Sequence, residues 1–216
     1  VILQDLTTSF RDEIDEARAA DEALVDCIHD KADPESKVGL VGFTGLEYNL
    51  LSPSGLVTYA SSYSTVISKI QSLKICDSMP GMKCYGTDHA MGFHMAKTIL
   101  DTSTSDAEVG RAVLMVSDGD PSRNDLACSK VSGKYQTAAA KALCPGWGNR
   151  PTVSNIKAST MALRDTMEAQ GYDIYTVFFN EDSDPVQTAY MNDLTAGKGI
   201  YLETPDPADL GDLLTQ

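Results

Sequence analysis

Short apolar runs alternate along this chain with stretches in which apolar residues recur every three or four positions. The runs are typical of strands buried on both faces of a parallel sheet, and they fall at 1–5, 38–43, 112–116, 174–179 and 200–202. The stretches with helical spacing fall at 10–29, 64–73, 91–100, 152–170, 185–194 and 207–214. This alternation predicts an α/β fold, in which a doubly wound, mostly parallel sheet is flanked by helices on both faces.

Three regions add detail to this plan. Residues 46–59 hold two short extended pieces, which favour a hairpin at an edge of the sheet. The first helix should carry its acids on the face opposite its apolar residues, and Cys27 lies on the apolar face. Residues 121–150 form a long insertion with a helical stretch at 135–143. Because no linker or internal repeat is visible, residues 1–216 are expected to form a single domain that carries this insertion.

Charge narrows the range of partners. The 216 residues include 31 Asp and Glu against 17 Lys and Arg, which gives a formal net charge of -14. That field repels nucleic acids and anionic membranes, and it attracts divalent cations. No apolar run approaches the ~18 residues that span a bilayer, so no direct membrane insertion is expected. The chain starts at Val1 without Met, which favours a mature product or a segment of a larger multidomain protein.

The five cysteines indicate an oxidising compartment. Cys76 and Cys84 bracket a short loop, and Cys128 and Cys144 bracket the longer insertion, so both pairs are interpreted as disulfides. Cys27 is left over and is expected to be a buried thiol. No set of His and Cys has the spacing of a zinc site. An extracellular, cell-surface or periplasmic location follows from the predicted disulfides.

Polar side chains follow two of the predicted strands. Asp5, Thr7 and Ser9 come directly after the first strand, Asp118 ends the central strand, and Thr87 begins a helix. Ligands of doubly wound sheets bind at the carboxyl ends of the strands, so these groups should lie close together. Their oxygens suit Mg²⁺, Mn²⁺ or Ca²⁺ rather than zinc. The alternative for Thr7 and Ser9 is an ordinary helix N-cap.

The sequence lacks the motifs of several enzyme classes. It has no phosphate-binding Gly-x-x-x-x-Gly-Lys loop, no Gly-x-Gly-x-x-Gly turn and no Gly-x-Ser-x-Gly elbow. Thr7 stands where a haloacid-dehalogenase-type phosphatase needs a second acid. His89 and His94 do not share a helix face and are interpreted as surface or packing residues. With these enzyme classes unsupported, the best interpretation is a cation site with one open coordination position. Such a position favours a carboxylate from a partner protein. A non-enzymatic role is therefore expected.

The order of these motifs resembles a von Willebrand factor A domain with a metal-ion-dependent adhesion site, as in integrin inserted domains. The resemblance covers essentially the whole chain. The matching pieces are Asp5-x-Thr7-x-Ser9, the 38–43 strand, Gly86-Thr87-Asp88, the 111–119 segment and the closing segment from 172 to 201. A Rossmann-like fold is what the resemblance implies.

The resemblance also implies a role for each residue of the site. Thr7 and Ser9 would bind the metal through their hydroxyls, Thr87 directly or through water, and Asp5 and Asp118 largely through water. The family most often has Ser at the position of Thr7, and the hydroxyl is kept. The ion would be Mg²⁺, or Mn²⁺ or Ca²⁺, and an Asp or Glu carboxylate of a protein ligand would complete its shell.

Three further residues extend this picture. Asp12 and Glu13 have the spacing at which integrin β-subunit inserted domains bind an adjacent Ca²⁺, although first-turn helix acids would look the same. Trp147, the only tryptophan, is a candidate ligand contact or an anchor of its loop.

The expected function is therefore a metal-dependent adhesion or ligand-binding module of a larger surface or secreted protein. The alternatives are an intracellular scaffold resembling chelatase or ATPase-partner subunits and a metal-dependent hydrolase.

Overall fold

The computed structural model describes most of the chain. The described residues are 1–31, 36–44, 47–51, 55–79, 82, 84, 86–103, 110–119, 121–122, 153–180 and 184–204. The predicted helical stretches at 135–143 and 207–214 lie outside them, as do Cys128, Cys144 and Trp147.

The centre of the fold is a six-stranded sheet in which the central strands are parallel. The strands are β1 (Ile2–Asp5), β2 (Lys37–Val38), β3 (Leu40–Phe43), β4 (Glu47–Asn49), β5 (Val57–Thr58), β6 (Arg111–Ser117), β7 (Tyr172–Phe179) and β8 (Tyr201–Thr204). Their order in the sheet is β4-β3-β1-β6-β7-β8, and β4 is antiparallel to its neighbour. The predicted doubly wound α/β fold is confirmed.

Helices cover both faces of this sheet. They are α1 (Ile14–Lys31), α2 (Tyr59–Gln71), α3 (His89–Ser103), α4 (Val153–Ala169) and α5 (Pro185–Leu194), with 3₁₀ turns at Ser9–Arg11 and Cys76–Ser78. On one face α1 contacts α2, and on the other α4 contacts both α3 and α5. Within the described ranges, no helix has the length and apolar character needed to cross a membrane.

The predicted edge hairpin at 46–59 is wrong. The two extended pieces exist as β4 and β5, but β4 joins the main sheet while β5 pairs with β2 in a separate two-stranded ribbon. The predicted strand at 38–43 is correspondingly divided at Gly39. The Gly39 backbone lies close to the segment that leads into β5, and a Cβ atom added at Gly39 would lie 2.8 Å from the carbonyl oxygen of Gly55. An apolar run alone does not reveal which neighbour each part pairs with.

The predicted separation of acids and apolar residues on α1 is only partly correct. Asp21 is fully buried and Glu13 is 4% exposed, whereas Cys27, expected to be buried, is partly exposed. The buried stripe includes Ala17, as expected, and also Val25. This helix packs against both the sheet and α2, so it buries a wider face than a single apolar stripe would cover.

Candidate metal centre

The predicted site lies at the carboxyl ends of β1 and β6, which are parallel neighbours in the sheet. Gln4 is level with Val116, so Asp5 at the end of β1 comes beside Ser117 and Asp118 at the end of β6. Asp5 is fully buried. One of its carboxylate oxygens accepts a hydrogen bond from the backbone N–H of Thr7 at 2.9 Å, and the other accepts from the Ser117 hydroxyl at 2.7 Å. Both oxygens of Asp5 are therefore held in fixed directions.

The site places a buried carboxylate, Asp5, close to a partly exposed one, Asp118. Burial first, and then the neighbouring negative charge of Asp118, raises the pKa of Asp5 well above its ordinary value. The hydrogen bonds from Ser117 and Thr7 act in the opposite direction and lower that pKa. A buried carboxylate whose pKa is raised by burial and by a neighbouring carboxylate is stabilised by a bound cation.

The two hydroxyls of the opening motif face each other. Thr7 Oγ1 and Ser9 Oγ are 2.9 Å apart. Ser9 begins a 3₁₀ turn whose N-cap residue is Thr8, and the Thr8 side chain makes no capping hydrogen bond within the described structure. The Ser9 hydroxyl bonds to Thr7 and not to a helix amide, so the N-cap alternative does not account for this pair.

The spacing of these hydroxyls fits a small divalent cation. Two neighbouring ligands of an octahedral Mg²⁺, each about 2.05 Å from the ion, are about 2.9 Å apart, whereas six-coordinate Ca²⁺ would separate them by about 3.4 Å. The observed distance of 2.9 Å, which is an ordinary hydrogen-bond length between two hydroxyls, is compatible with the first value. Among the described residues, no three His, Cys, Asp or Glu side chains converge as a metal site. A cation here would therefore depend on hydroxyl oxygens as well as on the two carboxylates.

Thr87, the third predicted hydroxyl ligand, lies on a loop that is tied to both neighbouring strand ends. Its N–H donates to the Ser122 hydroxyl at 2.9 Å, and its carbonyl accepts from the Ser122 N–H at 3.0 Å. The next residue, Asp88, donates its N–H to the carbonyl of Thr44 after β3, at 2.9 Å. The Asp88 carboxylate in turn accepts from the Met91 N–H at 3.0 Å and caps α3. Asp88 thus fixes the loop that carries Thr87 both to the end of β3 and to the start of α3.

Ser122 is a residue that sequence reasoning missed. It fixes both backbone groups of Thr87 and is the second residue of the 121–150 insertion. A serine four residues after an aspartate is too common a pattern to have identified it.

A disulfide-closed loop packs beside the opening motif. Cys76 and Cys84 form the predicted disulfide. The Cys76 N–H donates to the carbonyl of Leu6 at 2.8 Å, and the Arg11 guanidinium forms an ion pair with Asp77 at 2.6 Å. These contacts hold Cys76 and Asp77, at the start of the disulfide loop, against the segment that carries Thr7 and Ser9.

The two residues proposed for a second ion lie in different environments. Asp12 is exposed while its neighbour Glu13 is buried, so the two side chains do not share one environment. The second ion site at Asp12 and Glu13 stays a prediction. Trp147 lies outside the described residues.

The buried His89 joins the site from α3. Its Nε2 lies 3.3 Å from the Ser117 hydroxyl, and its Nδ1 lies 3.1 Å from the Tyr190 hydroxyl. Burial first, and then the positive charge of Lys157, lowers the pKa of His89 to about 3, so the ring is neutral. Asp5 contacts Ser117 and not the histidine, which differs from the order of a Ser-His-Asp triad, where the acid orients the base.

Comparison with known proteins finds similar solved structures but no similar sequences. No family model matches the chain, and no curated protein matches its sequence. Solved structures do match. A von Willebrand factor type A protein from Catenulispora acidiphila has a TM-score of 0.61 at 15% identity, over 99% of this chain and 40% of that chain. The PilB minor pilin from Streptococcus sanguinis has a TM-score of 0.69 at 13% identity, over 99% of this chain and 59% of that chain.

An isolated domain matches over nearly its whole length. The vWF domain of the type V pili tip protein Mfa5 from Porphyromonas gingivalis has a TM-score of 0.67 at 14% identity, over 99% of this chain and 90% of that chain. The fold of this chain is that of a von Willebrand factor A domain. At identities of 13% to 15%, the likeness establishes the fold and not the ligand.

Proposed function

We propose that this chain is a metal-dependent ligand-binding module of a larger surface or secreted protein. The cation is Mg²⁺, with Mn²⁺ or Ca²⁺ as substitutes, at a metal-ion-dependent adhesion site formed by Asp5, Thr7, Ser9, Thr87 and Asp118. The bound ion supplies a Lewis-acidic position to which a partner protein presents an Asp or Glu carboxylate. The module itself is not an enzyme.

The observation that carries this proposal is the adjacent pair of hydroxyls, Thr7 and Ser9, beside a buried carboxylate. Thr7 Oγ1 and Ser9 Oγ are 2.9 Å apart, next to Asp5, whose pKa is raised by burial and by Asp118. Asp5 already accepts hydrogen bonds from the Thr7 N–H and the Ser117 hydroxyl. Asp5 is therefore suited to orient the segment that carries Thr7 and Ser9, together with water bound to the metal. The hydroxyls are the direct metal ligands.

A partner carboxylate fits this donor set for a reason of charge. Three of the five proposed ligand residues are neutral hydroxyls, so two carboxylates acting largely through water leave the ion under-neutralised. An anion therefore binds at the open coordination position with a more favourable free energy than a neutral group does.

Two observations support a surface or secreted parent protein. The Cys76–Cys84 disulfide is typical of oxidising compartments and not of intracellular scaffolds. Two of the similar structures are a minor pilin and a type V pili tip protein, and this chain spans only part of the pilin. A free-thiol assay on native protein distinguishes a surface or secreted protein from an intracellular scaffold, because five reduced cysteines would favour the intracellular scaffold.

The test uses Asp- and Glu-containing peptides on an array, each paired with its Asn or Gln counterpart. Binding of the purified protein in Mg²⁺ should select acidic peptides over their amide partners and should disappear with EDTA. Ser9→Ala should abolish the same binding. Thr8→Ala is the matched control, because Thr8 carries an exposed hydroxyl between the two proposed ligands. Acidic-peptide binding that survives both EDTA and Ser9→Ala contradicts the proposal.

A further inference from the structure

A buried chain of hydrogen bonds leads from the candidate site to α5. The Ser117 hydroxyl lies 2.7 Å from a carboxylate oxygen of Asp5, His89 Nε2 lies 3.3 Å from Ser117 Oγ, and His89 Nδ1 lies 3.1 Å from the Tyr190 hydroxyl. Asp5, Ser117 and His89 are fully buried, and Tyr190 is 6% exposed. The chain joins one residue each from β1, β6, α3 and α5.

The chemistry of the four groups gives the chain one direction when Asp5 is ionised. A carboxylate can only accept, so the single proton of the Ser117 hydroxyl points to Asp5. Ser117 must then accept from His89, which assigns the ring proton to Nε2. The other ring nitrogen, Nδ1, has no proton in this tautomer and accepts from the Tyr190 hydroxyl.

Aromatic contacts fix the position of the His89 ring. The ring stacks on that of Tyr190, with an interplanar angle of 7° and 5.8 Å between centroids. Phe43 meets it edge-on at 5.7 Å. The ammonium of Lys157 lies 4.7 Å from the centroid of the Tyr190 ring. The imidazole therefore has little freedom to turn away from Ser117.

We propose that His89 is a positioning residue of the cation site and acts through Ser117 on the carboxylate of Asp5. This inference rests on the proposed function, because it assumes that Asp5 belongs to a cation site. The Nε2–H group occupies a lone pair of Ser117 Oγ and so keeps the hydroxyl proton directed at Asp5. Without His89 the hydroxyl can rotate, and Asp5 loses one of the donors that orient it.

The simpler interpretation is a core histidine that contributes only packing. Packing predicts that substitutions of His89 or Tyr190 change stability and leave cation affinity unchanged. Positioning predicts a loss of affinity that follows the hydrogen bonds and not the stability, as is usual for residues that orient metal ligands.

The experiment measures Mn²⁺ affinity by the EPR signal of the free ion and stability by urea unfolding. His89→Phe keeps a ring without the nitrogens, and it should weaken Mn²⁺ binding about 10-fold or more. His89→Gln can return an N–H to Ser117 and should recover part of that affinity. Tyr190→Phe keeps the stacked ring, loses the hydroxyl, and should weaken binding in the same direction by a smaller factor.

Tyr172→Phe is the matched control. This variant also removes the hydrogen bond of a buried tyrosine hydroxyl, here to Asp101. Tyr172 is the first residue of β7 and so lies at the amino ends of the strands, away from the candidate site at their carboxyl ends. A second signature is the ¹⁵N spectrum of His89 in the Mn²⁺-free, Mg²⁺-loaded protein, which should show the proton on Nε2.

The outcomes separate this inference from the proposed function. Wild-type protein that binds no Mn²⁺ overturns both. Wild-type binding with equal affinity in His89→Phe, Tyr190→Phe and Tyr172→Phe, or a proton on Nδ1, overturns the positioning role alone. A graded loss in the first two variants, a recovery in His89→Gln and none in the control supports it.

Discussion

Asp21 should make the stability of this domain fall as pH rises, and Asp21→Asn should remove that dependence. The side chain is fully buried on the inner face of α1, and neither carboxylate oxygen has a hydrogen-bond partner within the described structure. Burial first, and then the charge of Glu22, raises the pKa of Asp21 to about 8. A buried carboxyl without donors is more stable with its proton.

The sign of the effect follows from the two states. Below pH ~4 the carboxyl is protonated in both the folded and the unfolded chain. Between pH ~4 and the folded-state pKa of about 8, the unfolded chain is ionised while the folded protein keeps the proton, so the free energy of unfolding falls with rising pH. Above that pKa the folded protein ionises too, and the loss levels off.

The size of the change in the free energy of unfolding depends on how many pH units lie between the pKa of Asp21 in the unfolded chain and its pKa in the folded protein. Each pH unit within it is worth ~1.4 kcal/mol, so wild type should lose about 4 kcal/mol between pH 4 and pH 7 through this one group. An Asn side chain has the same shape and does not ionise. The two proteins should therefore be about equally stable at pH 4, and the variant should be more stable by about 4 kcal/mol at pH 7.

Urea unfolding at pH 4, 5, 6 and 7 in EDTA measures this difference. Asp5 also titrates, but it is present in both proteins and cancels in the comparison. Asp30→Asn, on the exposed side of the same helix, is the control for general charge effects. A difference between Asp21→Asn and wild type that stays constant from pH 4 to pH 7 would refute the reasoning.

Two further predictions concern the loops around the site. Cys84→Ser opens the 76–84 disulfide loop and should lower the free energy of unfolding by about 2.5 kcal/mol, from the entropy of the longer unfolded chain. Urea unfolding checks this, with Cys27→Ser, which removes a free thiol, as a control that should change little. Ser122→Ala removes the acceptor of the Thr87 N–H and should weaken Mn²⁺ binding about 10-fold. Unchanged Mn²⁺ affinity, measured by EPR, would mean that Ser122 does not hold Thr87 in place.

The position of the candidate site was predictable because it depends on strand ends. The apolar runs before Asp5 and Asp118 identify two buried strands, and parallel neighbours end at one edge of the sheet. The structure brings Asp5 and Asp118 together at that edge. The disulfide between Cys76 and Cys84 was predictable for a similar reason, since two cysteines close a short loop.

The groups that orient the site were not predictable, because their contacts depend on tertiary packing. His89 and Ser117 are 28 residues apart, and His89 and Tyr190 are 101 apart. No local pattern connects such residues. Asp21 was misplaced on the exposed face of α1 because acids are usually solvated, while the actual rotation of the helix depends on α2 and the sheet together.

The most direct test of the central claim is a crystal structure of the protein grown or soaked with Mn²⁺, with data collected at the manganese absorption edge. A single anomalous peak about 2.2 Å from both Thr7 Oγ1 and Ser9 Oγ, near Asp5, Thr87 and Asp118, is the predicted result. Saturating Mn²⁺ that leaves no peak between the two hydroxyls, or that gives its strongest peak elsewhere on the chain, would contradict the account.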